Sequence, residues 1–122
     1  MIEPLLQAER LLVHGQVDEA ERVYRQTLAA DPNNSIAAVG LARVALERGD
    51  DRLAYQLACS ALDIDRHNAA ALRLEARLSE VLATRGEPVN RPSWLLSDQA
   101  PAAATANSDR PGILRRILGR DR

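Results

Sequence analysis

The side chains with most chemistry to offer here are two histidines, one cysteine, several aspartates and a set of arginines. His14 and His67 stand far apart, and neither has a Cys, His or Glu at a metal-ligand interval on a shared helical face. Both are read as capping or surface residues. Cys59 lies inside an apolar helical run, where a thiol is usually an inert small hydrophobe, and one cysteine allows no internal disulfide. Asp50, Asp51, Asp63 and Asp65 fall at predicted helix ends, where carboxylates favour free backbone amides. No Gly-rich phosphate loop or nucleophile elbow is present. These residues predict neither metal nor cofactor nor catalysis, so the chain is not expected to be an enzyme. The arginines are different: Arg43, Arg73 and Arg77 can grip carboxylates in a bidentate way, or form a solvated face with Glu75 and Glu80 nearby.

The chain has 122 residues and a formal net charge of -1, which suits one domain with a modest core. Near-neutrality argues against nucleic acid as partner, since that binding needs a basic face. Aromatics make up only 2% and Phe is absent, which disfavours a β-sandwich or barrel. Ala, Leu, Arg and Glu dominate, all good helix formers. Every basic residue is Arg, a bias expected of a GC-rich bacterial genome. The N-terminal Met1-Ile2-Glu3-Pro4 lacks a basic stretch followed by an apolar run, and no segment approaches about 18 uncharged apolar residues. The expected location is the cytoplasm, with the inner face of the membrane as the peripheral alternative.

Arginines become a site only if helices bring them together, so the elements come next. Shifting the sequence by 34 residues aligns Gly15 with Gly49, Ala20 with Ala54, Leu28 with Leu62, Asp31 with Asp65 and Asn34 with Asn68. Ala8, Ala42 and Ala76 form a triple match. Gly15 ends one apolar-periodic run, and Asp18 is placed to cap the next, which carries Val17, Ala20, Val23, Tyr24, Thr27 and Leu28. Asp31-Pro32-Asn33-Asn34-Ser35 breaks that helix, and Asn34 or Ser35 caps the one after. Ile36 to Leu46, Gly49-Asp50-Asp51 and Leu53 to Leu62 repeat the cycle, and Asp65-Arg66-His67-Asn68 closes it. A fifth helix is predicted over Ala69 to Thr84, ending near Gly86.

This pattern resembles the tetratricopeptide repeat family. Small residues match at Ala8, Gly15, Ala20, Ala42, Ala54, Ala61 and Ala76, the second-helix aromatic at Tyr24, and the repeat-end proline at Pro32. Pro4 and Ala38 stand where a large aromatic is usual, Ala58 replaces the aromatic of the second unit, and Arg66 replaces its proline. The resemblance covers about Ile2 to Gly86. It implies an all-α solenoid of about two and a half helix-turn-helix repeats, five helices in all. After Gly86 the composition, with Pro88, Pro92, Pro101 and Pro111 among Ala, Ser, Thr and Asn, predicts a mostly disordered tail with a short C-terminal helix. The expected organisation is a repeat domain over 1–86, a Pro/Ala-rich linker over 87–111 and a basic amphipathic segment over 112–122.

Family geometry implies a concave face lined by the first helix of each unit. It would carry Leu5, Glu9 and Leu12, then Val39, Arg43 and Leu46, then Arg73 and Arg77. Ile36 and Ala70 belong to the same face. Such a groove suits a peptide bearing an acidic group. The Lys/Asn carboxylate clamp of some family members is absent, because Leu5 and Glu9 occupy two of its places and Arg43 replaces an Asn.

The linker contains one apolar island around Trp94, Leu95 and Leu96, expected to pack back on the last helix or to meet a partner. Beyond it, Ile113, Leu114, Ile117 and Leu118 would share one face of a short helix, with Arg115 and Arg116 opposite. Such a helix is marginal alone and needs a surface: a partner's groove, an anionic membrane or the repeat itself. The leading expectation is therefore a protein-interaction scaffold or adaptor that binds a peptide or partner subunit. The alternatives are a peripheral membrane tether and a structural subunit of a larger complex, completed by self-association or a partner.

Overall fold

A computed structural model describes residues 2–96. Contacts divide the chain into two units, Met1–Val89 and Asn90–Arg122. The first unit holds five helices: α1 (Ile2–Val13), α2 (Val17–Ala30), α3 (Ser35–Glu47), α4 (Asp51–Ile64) and α5 (Ala69–Thr84). In the second unit the described part is residues 90–96, with one helical turn over 93–96. The segment expected to form a C-terminal helix lies outside the described residues.

Two kinds of turn alternate, and each is written in the sequence. After α1, α3 and α5 a glycine takes positive φ: Gly15 at 81°, Gly49 at 79° and Gly86 at 78°. The next amide then reaches back five residues, from Gln16 N to Leu11 O, from Asp50 N to Ala45 O and from Glu87 N to Leu82 O, at 2.8–2.9 Å. This is the Schellman closure, and its left-handed residue favours glycine because a Cβ would clash. After α2 and α4, Asp31 and Asp65 turn the chain instead. Their carboxylates accept the amides of Asn33 at 3.3 Å and His67 at 3.0 Å.

Caps start most of the helices. Asn34 accepts from Ala37 N at 3.1 Å, Asp50 from Leu53 N at 3.1 Å and Asn68 from Ala71 N at 3.0 Å. Helix α2 departs from expectation. Its N-cap is Gln16, with no side-chain bond. Asp18 already lies in the first turn, too far into the helix to cap it, and its carboxylate pairs with Arg48 of the next hairpin instead. The expectation that Asp18 caps α2 is corrected accordingly.

Each helix packs on its chain neighbours, and α1 also touches α3. Short helices like these are marginal alone, so stacking supplies their stability. The contacts run through small side chains: Ala8, Ala20, Ala37, Ala42, Ala54, Ala58, Ala61 and Ala71 are fully buried. Ala76, third of the triple match, is exposed. Ala8 and Ala42 are covered in hairpins whose second helix follows, whereas no further helix follows α5 in that unit. Leu12, Leu41 and Val44 fill one core cluster with Tyr24, and Leu78, Leu82 and Tyr55 a second, against which Val89 packs.

Gly40 in α3 lies where α2 crosses that helix. A Cβ built there would overlap the ring of Tyr24. Helix α2 therefore lays its one aromatic ring flat against the α3 backbone, and only glycine leaves the room.

Candidate partner-binding groove

The first helices of the units leave a cavity of about 270 Å³ between them. Helix α1 contributes Leu5, Leu6 and Glu9 to its wall. Helix α3 contributes Ile36, Val39 and Arg43, and Asn68 and Ala70 close the end at the start of α5. Tyr24 of α2 reaches it from behind. Most of the lining is apolar. Ile36 is 60% exposed and Leu6 48% exposed, so the rim offers apolar surface to whatever enters.

One ion pair spans the cavity. Arg43 Nη1 lies 3.4 Å from Glu9 Oε2. The two residues are 34 positions apart, so they hold the same place in successive units, and Arg77 holds it in the third. Both partners are well exposed, so the pair adds little stability. Its consequence is electrical, because the cavity carries one charge of each sign. Burial pushes the Tyr24 hydroxyl above the usual phenol range, with Arg43 pulling the other way and Glu9 reinforcing the rise. All three groups therefore act within one small volume.

Asn68 is engaged from both ends of its amide. Besides capping α5, its Nδ2 donates to Ser35 Oγ at 2.9 Å, tying the start of α5 to the start of α3.

The expected groove residues separate. Leu5, Glu9, Val39 and Arg43 line the cavity. Leu46 and Arg77 line a second one of about 280 Å³, with Asp51, Leu74, Leu78 and Val81. Arg73 is exposed on α5 and borders neither cavity, so the three arginines do not converge on one spot. Leu12 packs in the core behind the groove. In the second unit Trp94 is half-buried and Leu95 fully buried. Ile113, Leu114, Arg116, Ile117 and Leu118 lie outside the described residues.

Two features escape sequence reasoning. The first is Gly40, because Leu6 and Leu74 occupy the same place in the neighbouring units and the repeat gives no hint of close approach. The second is a buried polar bond. Tyr55 Oη donates to Glu75 Oε2 at 2.8 Å, joining α4 to α5. Glu75, expected on the solvated face beside Arg73 and Arg77, is fully buried. It falls on the side of α5 that meets α4, one turn after the buried Ala71 and just before Leu78. Burial raises the Tyr55 hydroxyl far above its usual range, and its bond to Glu75 adds to the rise. Cys59 is half-buried on α4, and its thiol adds to the rise at Tyr55.

Stacked two-helix units punctuated every 34 residues define a helical repeat protein. Residues 11–78, more than half of the chain, match the family model described as tetratricopeptide repeat. The chain belongs to the tetratricopeptide repeat family, whose domains generally mediate protein–protein interaction. It is also 45% identical over 53 residues to the cellulose synthase 1 operon protein C of Komagataeibacter xylinus. That stretch is 43% of this chain and 4% of the relative, so the chain spans a small fraction of the relative's length. No solved structure matches. Among the described residues no helix is long and apolar enough to cross a membrane, and no group of three His, Cys, Asp or Glu residues gathers as a metal site.

Proposed function

We propose that the chain is a scaffold or adaptor that holds a segment of another protein in the groove between α1, α3 and α5. The observation that carries this reading is the apolar cavity of about 270 Å³ with Ile36 and Leu6 standing exposed at its rim. A concave, mostly apolar site with a few convergent polar groups is where ligands usually bind. Exposed apolar surface in a chain of near-neutral charge favours a protein segment over nucleic acid. Catalysis plays no part in this reading. The similarity to the cellulose synthase operon protein concerns a repeat stretch, so it supports the repeat and assigns no pathway.

The test is affinity capture from the source cell's lysate with the full chain, its Ile36→Glu variant, and a chain ending at Gly86. A protein held by the full chain and the shortened one, but lost by Ile36→Glu, supports the groove. A protein held equally by Ile36→Glu moves the binding surface elsewhere. One held only by the full chain assigns it to the tail segment.

A further inference from the structure

The groove holds a polar group that the fold leaves without use. Tyr24 is 3% exposed, yet among the described residues its hydroxyl has no hydrogen-bond partner. Buried hydroxyls are nearly always bonded, because leaving one unpaired costs free energy. The other buried tyrosine follows that rule, since Tyr55 donates to Glu75. Tyr24 is also held where it is. Gly40 gives its ring a flat seat on α3, and any larger residue there would displace it.

We infer that Tyr24 is the polar anchor of the groove: its hydroxyl donates to a backbone carbonyl of a bound protein segment whose large apolar side chain fills the adjoining cavity. This rests on the groove reading above and names the chemistry of its occupant. Size agrees. A dry cavity of about 150 Å³ lined by aliphatic residues accepts benzene, so about 270 Å³ admits one large apolar side chain. Polarity agrees as well, because Leu5, Val39 and Ala70 offer no hydrogen bond to a charged group. Electrostatics favour a neutral acceptor: Glu9 offsets Arg43 across the cavity, so a free carboxylate meets attraction and repulsion together. A phenol with its ordinary value of 10.0 is already protonated at neutral pH, and burial pushes Tyr24 further the same way, so its hydroxyl is a donor.

The experiment uses the full chain labelled with ¹⁵N and two probes. N-acetyl-L-phenylalaninamide presents an apolar side chain between two carbonyls, whereas toluene presents the apolar group alone. With the wild type, shifts should concentrate on the amides of Ala37, Gly40 and Arg43 for both probes. Tyr24→Phe should weaken the acetylated amide roughly fivefold, as expected for one lost hydrogen bond. It should leave toluene binding unchanged, with a melting temperature at or above the wild type's. Equal affinity of both proteins for the acetylated amide would overturn the anchor and leave the groove standing. Weaker binding of toluene too, or a lower melting temperature, would show that the hydroxyl serves the fold, and would also overturn it. Absence of shifts at those amides with either probe would remove the groove reading itself.

Discussion

Gly40→Ala is the sharpest test of how the helices meet. On helix propensity alone the change should help, since alanine is favoured over glycine by about 1 kcal/mol in a helix interior. The structure opposes it. The new Cβ would overlap the ring of Tyr24, and that ring is almost wholly buried in the core cluster with Ala8, Leu12, Ala37 and Leu41. A flexible side-chain end could swing aside, but a packed ring can move only if its neighbours move too. Overpacking of this kind costs about 1–3 kcal/mol, and a ring clash belongs at the upper end. The net expectation is a loss of about 2 kcal/mol. For a domain of this size that corresponds to a fall in melting temperature of roughly 8–16 °C. The assay is thermal unfolding followed by circular dichroism at 222 nm, with urea unfolding as a second reading. Tyr24→Leu should then make Gly40→Ala far less harmful, because the two positions share one contact and their effects do not add. An unchanged or higher melting temperature for Gly40→Ala would refute the reasoning, since it would mean the ring does not press on the α3 backbone.

The remaining predictions concern the groove, the caps and the buried tyrosine. Replacing Arg43, Arg73 and Arg77 by Ala should weaken partner binding in a calorimetric titration without lowering the melting temperature, and Arg43→Ala should account for most of the loss, since Arg43 alone of the three lines the main cavity and its removal leaves the Glu9 carboxylate there unbalanced. Asn34→Ala should cost about 1 kcal/mol in urea unfolding, as lost caps usually do, and Asn68→Ala should cost more because Ser35 loses its partner as well. Tyr55→Phe should cost about 1–3 kcal/mol, because the buried Glu75 carboxylate loses a donor. Alkali should act on the same contact: the Tyr55 hydroxyl titrates well above its ordinary value of 10.0 in the folded chain. Folding therefore favours the neutral phenol, a contribution fully present below pH 10 that drains away as the pH climbs beyond it, so urea midpoints should hold up to pH 10 and fall above it in the wild type, and less so in Tyr55→Phe.

The punctuation was legible in the residues. Asn34, Asp50 and Asn68 cap helices, and Gly15, Gly49 and Gly86 end them, because both jobs depend on the chemistry of one side chain and its nearest amides. Asp18 misled for the same local reason: an aspartate near a helix start suits a cap, but it stands two residues past the N-cap Gln16, inside the first turn, where an arginine of the next hairpin claims it. The groove was legible in part. A period of 34 residues and the family pattern place Leu5, Glu9, Val39 and Arg43 on one face, and they line one cavity. Leu12 and Arg73 share that face by periodicity and still miss the cavity, because a helical face is a wide arc and only packing decides which part of it lies open.

What the amino-acid sequence determined by itself, then, is a repeating helical chain with its starts, stops and apolar stripes, since these follow from contacts within a turn or two. What only the tertiary structure decided is where stripes from different units meet. Glu9 and Arg43 become a pair, Glu75 turns inward to Tyr55, and Gly40 admits the Tyr24 ring. Each of these depends on the approach of two helices distant in sequence, and that distance is set by the volumes of all the side chains between them, which no single position carries.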